Sequence, residues 1–168
     1  RVLDAVNWPT ISKGQPDAWL YFYEDFLAVY DNALRKLTGS YYTPPEVVEP
    51  MIRLVDDCLR KHFGRPAGLA SADVTLADPA VGTGTFILGV LRRIAAAVEQ
   101  EQGPGAVPSA IESAIGRLAA FEMQLGPFAV AQLRVYAELI QLIGRPPRST
   151  TNPGICSISP QSGTSIPA

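Results

Sequence analysis

Apolar and polar positions recur at a helical period over most of the chain. Trp19, Leu20, Tyr23, Phe26, Leu27, Tyr30, Leu34 and Leu37 fall on one stripe, with Glu24, Asp25, Asn32, Arg35 and Lys36 elsewhere, which predicts an amphipathic helix. Asp17 is placed to cap it and Gly39 to end it. Aromatics at this spacing read as core rather than as a nucleic-acid platform. Residues 1–16, with Pro9, Gly14 and Pro16, form an irregular lead-in. Thr43 to Glu46 has the capping-box form, with Pro44 at the first helical position. The helix it opens turns Val48, Met51, Ile52, Val55 and Leu59 inward and ends near Phe63-Gly64, with His62 in the last turn.

Two short apolar runs break this rhythm. Val74–Ala77 reads as a buried parallel strand running into Asp78, and Leu118–Phe121 as a second strand ending at Glu122. Between them lie a helix carrying Ile87, Val90, Leu91, Ile94 and Val98 inward and a shorter one opened by a second capping box, Ser109 to Glu112. A third long helix starts at Pro127, passes through Val130, Leu133, Leu139, Ile140 and Ile143, and closes at Gly144. Strand, helix, strand, helix in this order predicts right-handed βαβ units and a parallel sheet, hence an α/β fold.

Composition narrows the function classes. Fourteen Lys+Arg against 16 Asp+Glu in 168 residues give a net charge of −2, which argues against a strongly basic nucleic-acid module. No segment is apolar enough to span a membrane, and the N-terminus has no secretory pattern. The chain begins at Arg1, which suggests a preceding segment. Cys58 and Cys156 match no zinc or redox spacing and read as unpaired thiols of a reducing cytoplasm. Ser149–Ala168 carries no charge, and 13 of its 20 residues are Ser, Thr, Pro or Gly, the composition of a flexible tail.

The chemistry concentrates where the first strand turns into its helix, at Asp78-Pro79-Ala80-Val81-Gly82-Thr83-Gly84-Thr85-Phe86. Gly82 and Gly84 allow a tight turn and close approach of a ligand to the backbone. Glu122, at the tip of the next strand, is placed to hold a ribose diol. A dinucleotide fingerprint would need a third glycine at Ile87, and a phosphate-binding P-loop would need Gly-Lys-Ser/Thr; neither is present. No Lys or Arg lies between Asp78 and Leu91, so a pyrophosphate would find no cation there. A phosphate-free nucleoside with an amino-acid tail fits better, with Asp78 taking its amino group.

These residues resemble the S-adenosylmethionine-binding motif of adenine-N6 DNA methyltransferases, commonly Asp-Pro-Ala-Cys-Gly-Thr-Gly-Thr-Phe; Val81 replaces the cysteine. Gly39-Ser40-Tyr41-Tyr42-Thr43-Pro44-Pro45 is similar to the upstream cofactor motif of these enzymes, and Phe121-Glu122-Met123 to their ribose-binding motif. The helix bearing Tyr23-Glu24-Asp25-Phe26-Leu27 resembles the lead-in of the fused type ISP restriction-modification enzymes. The likeness spans roughly residues 17–144. It implies a Rossmann-like S-adenosylmethionine methyltransferase fold, truncated after the second strand and its helix. It also implies a cofactor-binding set: Tyr42, Thr43 and Pro44 at the methionine end, Asp78, Pro79, Ala80, Gly82 and Gly84 in the loop beneath, Glu122 on the ribose hydroxyls and Met123 against the adenine.

The same resemblance marks what is missing. The family activates adenine N6 with an Asn-Pro-Pro-aromatic motif, whereas the single Asn-Pro here, Asn152-Pro153, continues into Gly154-Ile155. No catalytic residue and no metal ligand is therefore assigned. The chain divides into the lead-in 1–16, a helical region 17–64, a partial cofactor-binding core 65–148, and a disordered tail 149–168 outside the family pattern. The second strand is expected to have an exposed, association-prone edge. The reading is a cytoplasmic cofactor-binding fragment of a restriction-modification methyltransferase, inactive by itself. DNA is the partner of the full-length family and binds this fragment weakly or not at all; the rest of a restriction-modification polypeptide is a further partner, and a membrane is not one. A small S-adenosylmethionine enzyme for a non-DNA substrate and a non-catalytic interaction remnant are the alternatives.

Overall fold

The computed structural model describes residues 43–145 and the backbone of residues 154–157. The lead-in, the helix expected over 17–39, Tyr42, and Asn152-Pro153 lie outside the described residues.

Helix α1 spans Pro45–His62. Its N-cap is Pro44, with no side-chain cap bond, so the Thr43–Glu46 capping box does not form. Starting at Pro45 leaves Thr43 one position too early to reach the third helical N–H. The Pro44 carbonyl instead accepts from Val47 and Val48 N–H, at 2.9 and 3.1 Å. Arg60, Lys61 and His62 occupy the last turn, where cations suit the helix C-terminus. Cys58, half-buried on α1, is a free thiol.

Strand β1 (Leu76–Asp78) leads through the glycine loop into α2 (Thr85–Gln102). Helix α3 (Val107–Ile115) follows. It continues from a 3-10 turn over Pro104–Ala106, so helical backbone is established before Ser109, which lies inside the helix and caps nothing. Strand β2 (Leu118–Glu122) leads into α4 (Leu125–Ile143), ended by Gly144 in the left-handed region at φ 74°.

The sheet has three parallel strands in the order β1-β2-β3, with β3 at Gly154–Ser157. Leu76 stands opposite Leu118 and Asp78 opposite Ala120; Ala119 faces Gly154 and Glu122 faces Ser157. This corrects two expectations. The sheet does not stop at the second strand, and β2 is the central strand rather than an exposed edge. Four residues set among Ser, Thr and Pro carry too little period to be read as a strand. Their strand state comes from the open hydrogen-bonding edge of β2, a tertiary effect on a weak local preference.

The core lies between the sheet and α2, α3 and α4. Leu91, Ile94, Ile111, Ile115, Val135 and Leu139 are fully buried, each such side chain contributing roughly 1.5–3 kcal/mol of transfer free energy. Two helix faces differ from expectation. On α1, Val48 and Ile52 are buried, but Met51 and Val55 are each 50% exposed. They line an apolar cleft of about 340 Å³ bounded by α1, β1 and α2, with Asp78 at one wall. On α4, Ala131, Val135, Leu139 and Ile143 are buried, whereas Leu133 is 71% exposed and Ile140 37%. Ala131 backs against Gly84, and this close approach sets the helix rotation that carries Leu133 outward.

Two buried carboxylates tie these layers together. Asp56 on α1 accepts from Leu69 N–H at 2.8 Å and from Arg93 on α2 at 2.9 and 2.8 Å. Glu138 on α4 is held by Arg92 on α2 through two bonds of 2.9 and 2.7 Å. No helix among the described residues is long and apolar enough to cross a membrane.

Candidate functional site

The loop from Asp78 to Gly84 is held by hydrogen bonds at nearly every step. Asp78 Oδ1 accepts from Ala80 N–H at 3.1 Å, the turn expected of an Asp two residues before a free amide. Val81 N–H donates to the Phe121 carbonyl at the end of β2, 3.0 Å away. Gly82 N–H donates to Glu122 Oε2, also at 3.0 Å. Gly84 N–H closes the turn on the Val81 carbonyl at 2.9 Å, and Leu88 N–H begins the helix on the Gly84 carbonyl. The loop is thus clipped to the tip of β2 by one main-chain and one side-chain bond.

Both glycines have left-handed backbone, φ 56° at Gly82 and 87° at Gly84, a conformation that costs an L-residue about 1–2 kcal/mol. Their surroundings differ. Among the described residues, a Cβ at Gly82 would meet nothing within 4 Å, whereas at Gly84 it would lie 3.5 Å from the Cα and Cβ of Ala131. The loop therefore has an open side at Gly82 and a supported side against α4.

Two carboxylates flank the open side. Glu122 accepts at both oxygens, from Gly82 N–H and, at 2.8 Å, from Gln124 N–H. Each oxygen keeps a further lone pair. Asp78 is half-buried, and burial pushes its carboxyl above the usual 3.8; the Ala80 N–H partly offsets this, and the Glu122 charge adds to the rise. A folded-state value above the unfolded one means that ionised Asp78 opposes folding, and the penalty grows as pH rises through the folded value. Asp78→Asn, which can keep an acceptor for Ala80 N–H, is accordingly expected to raise the melting temperature by about 1–3 °C at pH 7. The gain should close as pH falls toward the ordinary aspartate value of 3.8. Melts at pH 7 and 4.5 check this; a variant no more stable than the parent at pH 7 contradicts it.

The structure brings Asp78, Pro79, Ala80, Gly82, Gly84 and Glu122 to one rim, at the C-terminal ends of β1 and β2. Pro79 and Ala80 are exposed, and Met123, one residue beyond Glu122, is 71% exposed. Thr43 is half-buried and Pro44 exposed at the start of α1, and the hydrogen bonds of the Pro44 carbonyl go to that helix rather than to the loop. Among the described residues no group of three His, Cys, Asp or Glu side chains is arranged to hold a metal.

One loop partner was not foreseen. Arg134 on α4 places Nη1 2.7 Å from the Thr83 carbonyl, 3.3 Å from Thr85 Oγ1 and 3.5 Å from Thr83 Oγ1. Its sequence signal is slight: Arg134 and Glu138 are the only charges in a mostly apolar helix.

As a chemical setting, the rim offers two carboxylates and an unobstructed glycine backbone. It suits a ligand rich in hydroxyl, amine or cationic donors and offers little to a phosphate. S-adenosylmethionine, with its ribose diol, ammonium and sulfonium, fits that donor demand.

The family model N-6 DNA Methylase matches residues 15–136. Among solved structures, the chain is similar to a DrdV–DNA complex at 28% identity and a TM-score of 0.67, covering 86% of this chain and 13% of that one. A nuclease-deletion mutant of the type ISP restriction-modification enzyme LlaGI, in complex with a DNA substrate mimic, gives 32% identity and a TM-score of 0.57 over 72% of this chain and 9% of that one. The ATP-dependent type ISP restriction-modification enzyme LlaBIII bound to DNA gives 32% and 0.57 over 73% and 8%. The chain thus spans about a tenth of the length of these proteins. No curated protein matches it.

Proposed function

The chain belongs to the N-6 DNA methylase family, and from that premise we propose that it is the S-adenosylmethionine-binding part of an adenine-N6 DNA methyltransferase of a restriction-modification system. The observation that carries this reading is the latch between Glu122 and Gly82, which joins an acidic strand tip to an open left-handed glycine loop. Glu122 would hold the ribose hydroxyls through the lone pairs its two backbone donors leave. Asp78 would take the amino group, a pairing that also offsets the unfavourable charge of its half-buried carboxylate. Gly82 would let the ligand lie against the backbone, Pro79 and Ala80 would border it, and Met123 would cover the adenine. Tyr42, Thr43 and Pro44 are assigned to the methionine end. Bound there, the cofactor would supply an electrophilic methyl group.

Methyl transfer needs acceptors for the adenine amino hydrogens, and the sequence Asn152-Pro153-Gly154-Ile155 lacks the second proline and the aromatic that would stack on an extruded base. The chain by itself is therefore proposed to bind the cofactor without methylating DNA. DNA engagement would depend on the rest of a restriction-modification polypeptide acting in the cytoplasm. Calorimetry on the 168-residue chain is expected to give a dissociation constant of about 1–100 μM for S-adenosylmethionine, roughly 5.5–8 kcal/mol. Tritiated methyl incorporation into DNA should stay at background. Absence of binding to a folded sample overturns the cofactor reading; methyl transfer overturns the inactivity.

A further inference from the structure

We propose that Arg134 is a positioning residue for the cofactor loop, fixing from behind the backbone whose open side receives the ligand. The inference rests on the cofactor reading above. The peptide between Thr83 and Gly84 is pinned at both ends. Its N–H, from Gly84, donates to the Val81 carbonyl at 2.9 Å. Its carbonyl, from Thr83, accepts from Arg134 Nη1 at 2.7 Å. Rotation of this peptide is what would let the loop exchange between left-handed and other backbone states, because glycine itself imposes little resistance. With the two ends held, the conformation of Gly84 is set before any ligand arrives, beside a Gly82 that Glu122 already holds, and the ordering cost of binding falls.

Three features point to this role rather than to simple packing. The bond is charge-assisted and goes to a main-chain oxygen of the loop, not to a surface carboxylate. The same nitrogen reaches the Thr83 and Thr85 hydroxyls, so one cation spans the last loop residues and the first helical residue. Ala131 and Val135, on either side of Arg134 along α4, lie 3.5 and 3.7 Å from the Cβ position of Gly84, so the helix and its arginine brace one stretch of backbone.

The test compares two arginines that each link α2 or its loop to α4. Arg134→Met removes the donor at Thr83; Arg92→Met removes the two bonds to Glu138 and none of the hydrogen bonds described for the loop. Both should lower the melting temperature. Only Arg134→Met should weaken S-adenosylmethionine binding by calorimetry, by about tenfold, the value of one charge-assisted hydrogen bond. Arg134→Lys, which keeps a charged donor, should recover affinity to within about threefold. Exchange of the Gly84 amide should quicken in Arg134→Met and not in Arg92→Met. If Arg134→Met does not fold, Arg134→Gln is the milder probe, with the same selective loss expected. Parental affinity in Arg134→Met or Arg134→Gln, or an equal loss in Arg92→Met, overturns this inference and leaves the cofactor reading standing. A parent chain that binds no S-adenosylmethionine overturns both.

Discussion

Asp56→Ala is expected to lower the unfolding free energy by about 3–5 kcal/mol, the range for breaking a buried ion pair from one side, and the melting temperature by roughly 8–15 °C. Asp56 is 1% exposed and serves three elements. Its Oδ1 accepts from Leu69 N–H at 2.8 Å. Its Oδ2 accepts from Arg93 on α2 at 2.8 Å and from Arg60, one turn along α1, at 3.3 Å. Gly68, at φ 58°, leaves room for this carboxylate: a Cβ there would sit 1.9 Å from Oδ1. Truncation orphans the Leu69 amide and strands a guanidinium beside it, and alanine fills neither gap. Asp56→Asn, which keeps an acceptor for Leu69, should lose about half as much. Denaturant titration checks both values. An alanine variant within 1 kcal/mol of the parent would show that the carboxylate is replaceable by solvent.

The contrast between Asp56 and the glycine loop explains which features the sequence reveals. Gly82, Gly84 and Glu122 announce themselves because their chemistry is local. A left-handed turn demands glycine, and a strand ending in an acid is a short pattern. Their joining by the Gly82–Glu122 bond follows from the parallel pairing of β1 and β2, whose direction the βαβ order predicts and whose register the structure supplies. Asp56 belongs to no such local pattern; only its partners at Leu69 and Arg93, distant in sequence, make it a buried node. Arg134 is similar, since its target is 51 residues away along the chain.

Helix rotation and strand β3 are hidden for a related reason. The apolar residues of α4 are numerous enough to support more than one inward face. The close approach of Ala131 to Gly84 selects the face carrying Val135 and Leu139 and leaves Leu133 outside. Both capping boxes match the sequence pattern, yet the first helix starts one residue late, at Pro45, and the second starts early, at Val107 behind a 3-10 turn, so neither Thr43 nor Ser109 stands at the N-cap. Gly154–Ser157 forms a strand only because β2 presents an edge in register. Local chemistry fixes the loop, and long-range packing fixes what braces it.

Glu122→Gln should weaken S-adenosylmethionine binding by about a hundredfold, near 2.7 kcal/mol, a larger effect than the loss of one ribose contact would give. The reason is that both oxygens of Glu122 accept from backbone amides, Gly82 N–H at 3.0 Å and Gln124 N–H at 2.8 Å. A glutamine has one acceptor and one donor head atom. Whichever way its amide turns, an NH2 meets a backbone N–H, so one of the two bonds becomes a repulsion and its amide is left unpaired. If Gly82 is released, the loop loses its side-chain clip to β2 at the residue where the ligand is to lie. If Gln124 is released, the entry to α4 loosens, and with it the support behind Gly84. Either outcome adds to the direct loss at the ribose. The melting temperature should fall by only about 2–4 °C, since the site is at the rim and water can serve the freed amide. Glu122→Asp, one methylene shorter, should fail to span to Gly82 and show a comparable loss. Calorimetry with S-adenosylmethionine, paired with exchange of the Gly82 amide, separates the two contributions. A glutamine variant that binds within threefold of the parent would show that the carboxylate holds neither the loop nor the ribose.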